Sequence, residues 1–102
     1  MARVPRRKPA RLAEKLLSIR YALDLSQDGM LRRLGLDEDG RARSSVSHFE
    51  NGGEPELHVL LEYARSVGAQ VEDLIDDDKN LPKHVQRAAR KTASLRQKNR
   101  RY

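Results

Sequence analysis

Two short segments, residues 25–35 and 43–52, constrain this chain more than any other feature. In the first, Ser26 can cap a helix start by accepting a hydrogen bond from a free backbone N–H. Met30, Leu31 and Leu34 then fall on one side and Arg32 and Arg33 on the other, and Gly35 permits a left-handed stop after Leu34. The second segment keeps only Val46 and Phe49 apolar, at i and i+3. Arg43, Ser44, Ser45, Ser47 and His48 offer polar groups outward, and Asn51-Gly52-Gly53 ends the helix. A compact amphipathic helix is thus followed by one thinly held to its core.

The rest of the chain repeats the helical period. Leu12, Leu16, Ile19 and Leu23 make a stripe with Lys15 and Arg20 outside it and Tyr21 at its edge. Pro55, flanked by Glu54 and Glu56, suits the first turn of another helix, on which Leu57, Leu60, Leu61, Ala64 and Val67 form a wide apolar face up to Gly68. Val71, Leu74 and Ile75 form a short turn that closes the bottom of the core, edged by Asp76-Asp77-Asp78. From Leu81-Pro82 onward the helix formers are good and the stripe is poor: Val85, Ala88, Ala89, Thr92 and Leu95. Such a helix is marginal alone; it docks on the core, pairs with a second subunit or orders only on DNA. The expectation is an all-α chain divided into a basic disordered arm over 1–10, one folded domain over 11–78, and a basic helical tail over 79–102.

Charge follows the same division. Residues 1–11 hold five Lys/Arg and no acid, residues 79–102 hold nine and no acid, and the middle holds seven bases against fifteen acids. Two cationic ends on a mildly acidic body suit phosphate backbones. Without cysteine there is no disulfide framework, thiolate metal site or thiol nucleophile. No apolar run approaches the ~20 residues that span a bilayer, and the basic N-terminus lacks the apolar stretch of a secretion signal. These features point to a cytoplasmic protein with no membrane partner.

The chemistry expected of the second segment is recognition. Short hydroxyl side chains let a helix backbone approach a DNA major groove, where hydroxyl, imidazole and guanidinium groups hydrogen-bond base edges. The connection over 36–42 is long for a helix-turn-helix, whose turn is usually about 3–4 residues. It leaves two starts open for the next helix, one near Gly40 and one near Ser44. Its acids, Asp37, Glu38 and Asp39, would be repelled by phosphates, so the turn should point away from a duplex or toward a protein partner.

Taken together, Leu25-Ser26-Gln27, Leu34-Gly35, Ser44-Ser45-Val46-Ser47 through Glu50-Asn51-Gly52, Pro55 and Val71-Glu72-Asp73-Leu74-Ile75 resemble the Cro/C1-type (XRE family) helix-turn-helix over about residues 11–78. That resemblance implies a five-helix, lambda repressor-like DNA-binding domain. It implies base contacts from Arg43, Ser44, Ser45 and His48, and a phosphate contact from Gln27 and Asn51. Arg32 and the arm residues Arg6 and Arg7 join the backbone contacts by charge and position. Two departures stand out: Leu31 replaces a residue that is small in most relatives, and the 36–42 turn is longer than theirs.

The function expected is a sequence-specific DNA-binding regulator, a repressor acting as a homodimer on a near-palindromic site, because one short helix reads too few bases for high affinity. An enzyme is not expected. His48, His58 and His84 lack metal-ligand spacing, no cofactor motif occurs, and the serines have no neighbouring base. The alternative is an antitoxin or immunity-type protein of the same fold that binds a protein partner through the 36–42 turn or the C-terminal helix and DNA secondarily.

Overall fold

The computed structural model describes residues 9–99, with side chains to Gln97. Among these residues there are six helices and no strand: α1 (Leu12–Ala22), α2 (Gln27–Arg33), α3 (Arg43–Glu50), α4 (Leu57–Ser66), α5 (Val71–Ile75) and α6 (Lys83–Asn99). No described helix is long and apolar enough to cross a membrane.

One core is shared by all six helices. Leu16 and Ile19 of α1, Met30 of α2, Val46 of α3, Val59 and Tyr63 of α4, Leu74 of α5 and Val85 of α6 are all buried in it. Each such side chain contributes roughly 1.5–3 kcal/mol by leaving water. Of the three settings open to the C-terminal helix, the structure has it docked: α6 packs chiefly along α1, burying Leu81 in front of it and Val85, Ala89 and Thr92 within it. Small residues on that stripe let the two backbones approach. Arg96 lies over the Tyr21 ring, 4.7 Å from its centroid, and reaches the Leu25 carbonyl. Tyr21 therefore has a structural task at the α1–α6 seam.

Three expectations about faces are corrected. Lys15 and Arg20, placed outside the α1 stripe by periodicity, are only 2% and 8% exposed. Lys15 Nζ donates to the carbonyls of Asp73, Asp76 and Lys79 at 2.8, 2.8 and 2.7 Å, so all three ammonium donors are used to hold the end of α5 and the segment after it. Loss of water around the ammonium pushes its pKa below the ordinary lysine value. On α4 the buried face is Val59, Leu60, Tyr63 and Ala64, whereas Leu57 is 73% exposed and Leu61 also faces solvent. Tyr63 explains the rotation: its large ring is wholly buried, and bringing it inward turns Leu57 and Leu61 out. At the end of α5, Ile75 is likewise 41% exposed rather than part of the core floor.

Candidate functional site

The α2–α3 pair begins with local backbone chemistry. Ser26 caps α2 by accepting a hydrogen bond from the Gly29 N–H at 3.0 Å. The other end closes as a Schellman motif: Gly35, at φ +75°, donates to the Arg32 carbonyl, and the Leu36 N–H reaches back to Leu31 at 3.1 Å. Leu36 is then buried beside Leu31, the hydrophobic contact that this motif favours. The long connection is therefore anchored at its start by an apolar side chain. It folds on itself through Asp39 N–H to Leu36 O, Gly40 N–H to Asp37 O and Arg41 N–H to Leu36 O. At its exit Arg41 pairs with Glu56, 2.7 Å away, and this partner holds the Glu56 carboxyl below its ordinary pKa. Asp37, Glu38 and Asp39 remain exposed at the tip.

Helix α3 starts at Arg43, beside the later of the two starts that the sequence leaves open, and sits on the body through Val46 and Phe49. Its orientation is fixed by charge as well as by packing. Arg20 Nε donates to Glu50 Oε2 at 2.7 Å and Nη2 to Oε1 at 3.0 Å, while Nη1 donates to the Leu25 carbonyl at 3.0 Å. Gln27 Nε2 adds a bond to Glu50 Oε1 at 3.2 Å. One carboxylate thus ties α1, the start of α2 and the end of α3 together, with the Arg20 and Glu50 side chains 9% and 6% exposed. Bidentate guanidinium–carboxylate geometry is the form in which a buried pair holds direction best.

The outward face of α3 consists of Ser44, Ser47, His48 and Asn51, opposite Val46 and Phe49 on the helical period. Ser44, His48 and Asn51 are exposed and Ser47 is half-buried. Asn51 Nδ2 donates to the Ser47 carbonyl at 2.7 Å, which leaves its Oδ1 outward as an acceptor. His48 sits against Gly53, where an added Cβ would overlap the imidazole, so the absence of a side chain there makes room for the ring. Arg43 projects from the first turn with its guanidinium 4.0 Å from Asp28. Arg32 and Arg33 are exposed on α2.

The nine residues singled out from sequence therefore separate into groups. Ser44, His48, Asn51 and, at the flank, Arg43 share one solvent-facing surface, and exposed Arg32 lies on the neighbouring helix. Ser45 is half-buried at the side of α3. Gln27 is half-buried and engaged with Glu50, so its nearest visible task is to brace α2 against α3. Arg6 and Arg7 lie outside the described residues. Sequence reasoning left Ser47 out of the contact set although it shares the outward stripe, and missed Arg20 and Glu50 altogether. The available signal was Arg20 at i+4 from Leu16, on the edge of the buried stripe. Among the described residues no cluster of three His, Asp or Glu side chains is placed to hold a metal ion. No protein-family model, curated protein or solved structure matches the chain.

Proposed function

We propose that this chain is a sequence-specific DNA-binding regulator of the Cro/C1 type, its α1–α5 unit a lambda repressor-like five-helix domain, with α3 read against the major groove. The observation that carries this reading is the outward face of α3. It is short, polar and uncharged along Ser44, Ser47 and Asn51, with an imidazole between Ser47 and Asn51 and a guanidinium at its N-terminal end, and it stands on the hydrogen-bonded Arg20–Glu50–Gln27 brace. Small side chains permit backbone approach, and the donors and acceptors match base edges. Arg32 and Arg33 on α2 supply phosphate-binding charge beside it. The exposed acids of the 37–39 tip favour an orientation in which that tip points away from the duplex.

On this reading two copies bind a near-palindromic operator and repress by occupying it. The test is selection of bound duplexes from a random pool at physiological salt, using the full chain because α6 covers part of the core. Enrichment of a two-fold motif supports the reading. Uniform recovery of all duplexes refutes readout by α3.

A further inference from the structure

Helix α6 turns a row of cations to solvent. Val85, Ala89 and Thr92 mark the face buried against the body. Lys83, Arg87, Arg90 and Lys91, at i, i+4, i+7 and i+8, fall on the opposite face, and all four are exposed. From Lys83 to Asn99 the helix has no acid. Lys83, Arg87 and Arg90 surround a depression of about 390 Å³ whose remaining walls are Asn80 and Gln86.

Cations on either side of this row are answered by acids: Lys79 by Glu72 before the helix, and Arg96 by Asp24 near its end. The four between them have no acidic partner among the described residues, and the Arg90 guanidinium donates only to the Gln86 side-chain oxygen, at 3.4 Å. Glu14, which lines the α1–α6 cleft together with Arg90, is itself paired with Arg11. Like charges three and four residues apart oppose helix formation, and packing on α1 offsets that repulsion. A polyanion laid along the row would remove it.

We propose that the outer face of α6 binds the phosphate backbone of duplex DNA irrespective of base sequence. A helix rises 1.5 Å per residue, so Lys83 to Lys91 spans about 12 Å, the length over which one strand presents about three to four phosphates. A lipid-binding face carries apolar anchors among its cations, and no large apolar side chain is exposed between Lys83 and Lys91. A single-strand site stacks bases on free rings, whereas the one ring of α6, His84, is hydrogen-bonded through Nε2 to the Val67 carbonyl at 2.9 Å. The surface lies on a different helix from the α3 face and uses none of its residues, so it does not depend on base readout by α3.

The test is binding of the full chain to a random-sequence duplex between about 50 and 200 mM salt, comparing the parent with a variant carrying Lys83→Gln, Arg87→Gln and Arg90→Gln. Glutamine keeps helix propensity and the buried face is untouched, so helical circular dichroism should not change. Loss of three phosphate contacts lowers the slope of log affinity against log salt by about 2.7. Adding Asp37→Asn, Glu38→Gln and Asp39→Asn to that variant restores the net charge and should leave the slope low. A fall smaller than about 1.8, the value for two contacts, overturns the proposal. Recovery of the parent slope on charge restoration reduces the effect to net charge and overturns it too. A single-stranded oligonucleotide that binds the parent as tightly as the duplex, and is released by the same substitutions, assigns the face to unpaired strands and overturns it as well. Because the pool holds no selected site, none of these outcomes depends on the α3 reading.

Discussion

Removal of the Glu50 carboxylate tests the structural foundation of the α2–α3 pair. In Glu50→Ala, Arg20 loses the acceptors of its Nε and Nη2 and keeps the Leu25 carbonyl and the Tyr21 ring, whose centroid is 5.3 Å from its guanidinium carbon, and Gln27 loses the partner of its amide. A guanidinium 9% exposed is left without its counter-charge. Breaking one side of a buried pair costs about 3–5 kcal/mol, against a total stability of ~5–15 kcal/mol for a domain of ordinary size. Urea unfolding followed by helical circular dichroism, with a slope near ~2 kcal/mol/M, should show the midpoint falling by roughly 2 M. The same reasoning says that Arg20→Met combined with Glu50→Leu recovers most of the loss, because no buried charge is stranded. A Glu50→Ala midpoint within about 0.5 M of the parent would refute the role given to the pair. A double variant as weak as the single one would show that lost packing, not stranded charge, was the cause.

Two further changes probe the body of the fold. Tyr63 is wholly buried, its hydroxyl has no hydrogen-bond partner among the described residues, and burial together with the Glu50 charge pushes its pKa well above the usual tyrosine value. Tyr63→Phe should therefore be neutral or stabilising by up to about 1–2 kcal/mol in the same urea assay, whereas Tyr63→Ala should cost ~3–5 kcal/mol through the cavity it leaves. The Asp77 carboxyl is held below its ordinary pKa of 3.8, chiefly by the N–H groups of Ala10 and Arg11. A depressed folded-state pKa gives stability that is complete above the unfolded value and disappears as pH falls through the folded one. The stability difference between the parent and Asp77→Asn should accordingly shrink as pH drops below 3.8. A difference that stays constant through that range would contradict the assignment.

Local signals in the sequence were sufficient where the determinant lies within one turn. Ser26 marks the start of α2, Gly35 its end and the apolar pair Val46 and Phe49 the inner face of α3, each through hydrogen bonds or packing set by near neighbours. Periodicity failed where a partner lies far along the chain. Lys15 is buried because carbonyls 58 to 64 residues away accept its protons, and Arg20 because Glu50 lies 30 residues on. A hydropathy pattern counts both as outward. On α4 two overlapping stripes compete, one led by Leu57 and Leu61 and one by Val59 and Tyr63. Tertiary packing of the tyrosine ring decides between them. The candidate site was partly legible for the same reason: Ser44, His48 and Asn51 follow from the helical period, while the brace that aims them does not.

The central claim is that α3 reads base edges while α2 holds phosphates. The most direct test measures the affinity of the full chain for every single-base variant of a selected duplex, comparing Ser44→Ala and His48→Ala with Arg32→Ala. The account predicts that the α3 substitutions each cost about 1–3 kcal/mol and relax discrimination at one or two positions per half-site. Arg32→Ala should weaken all variants alike and flatten the salt dependence. Uniform weakening by all three substitutions, with base preference intact, would contradict it.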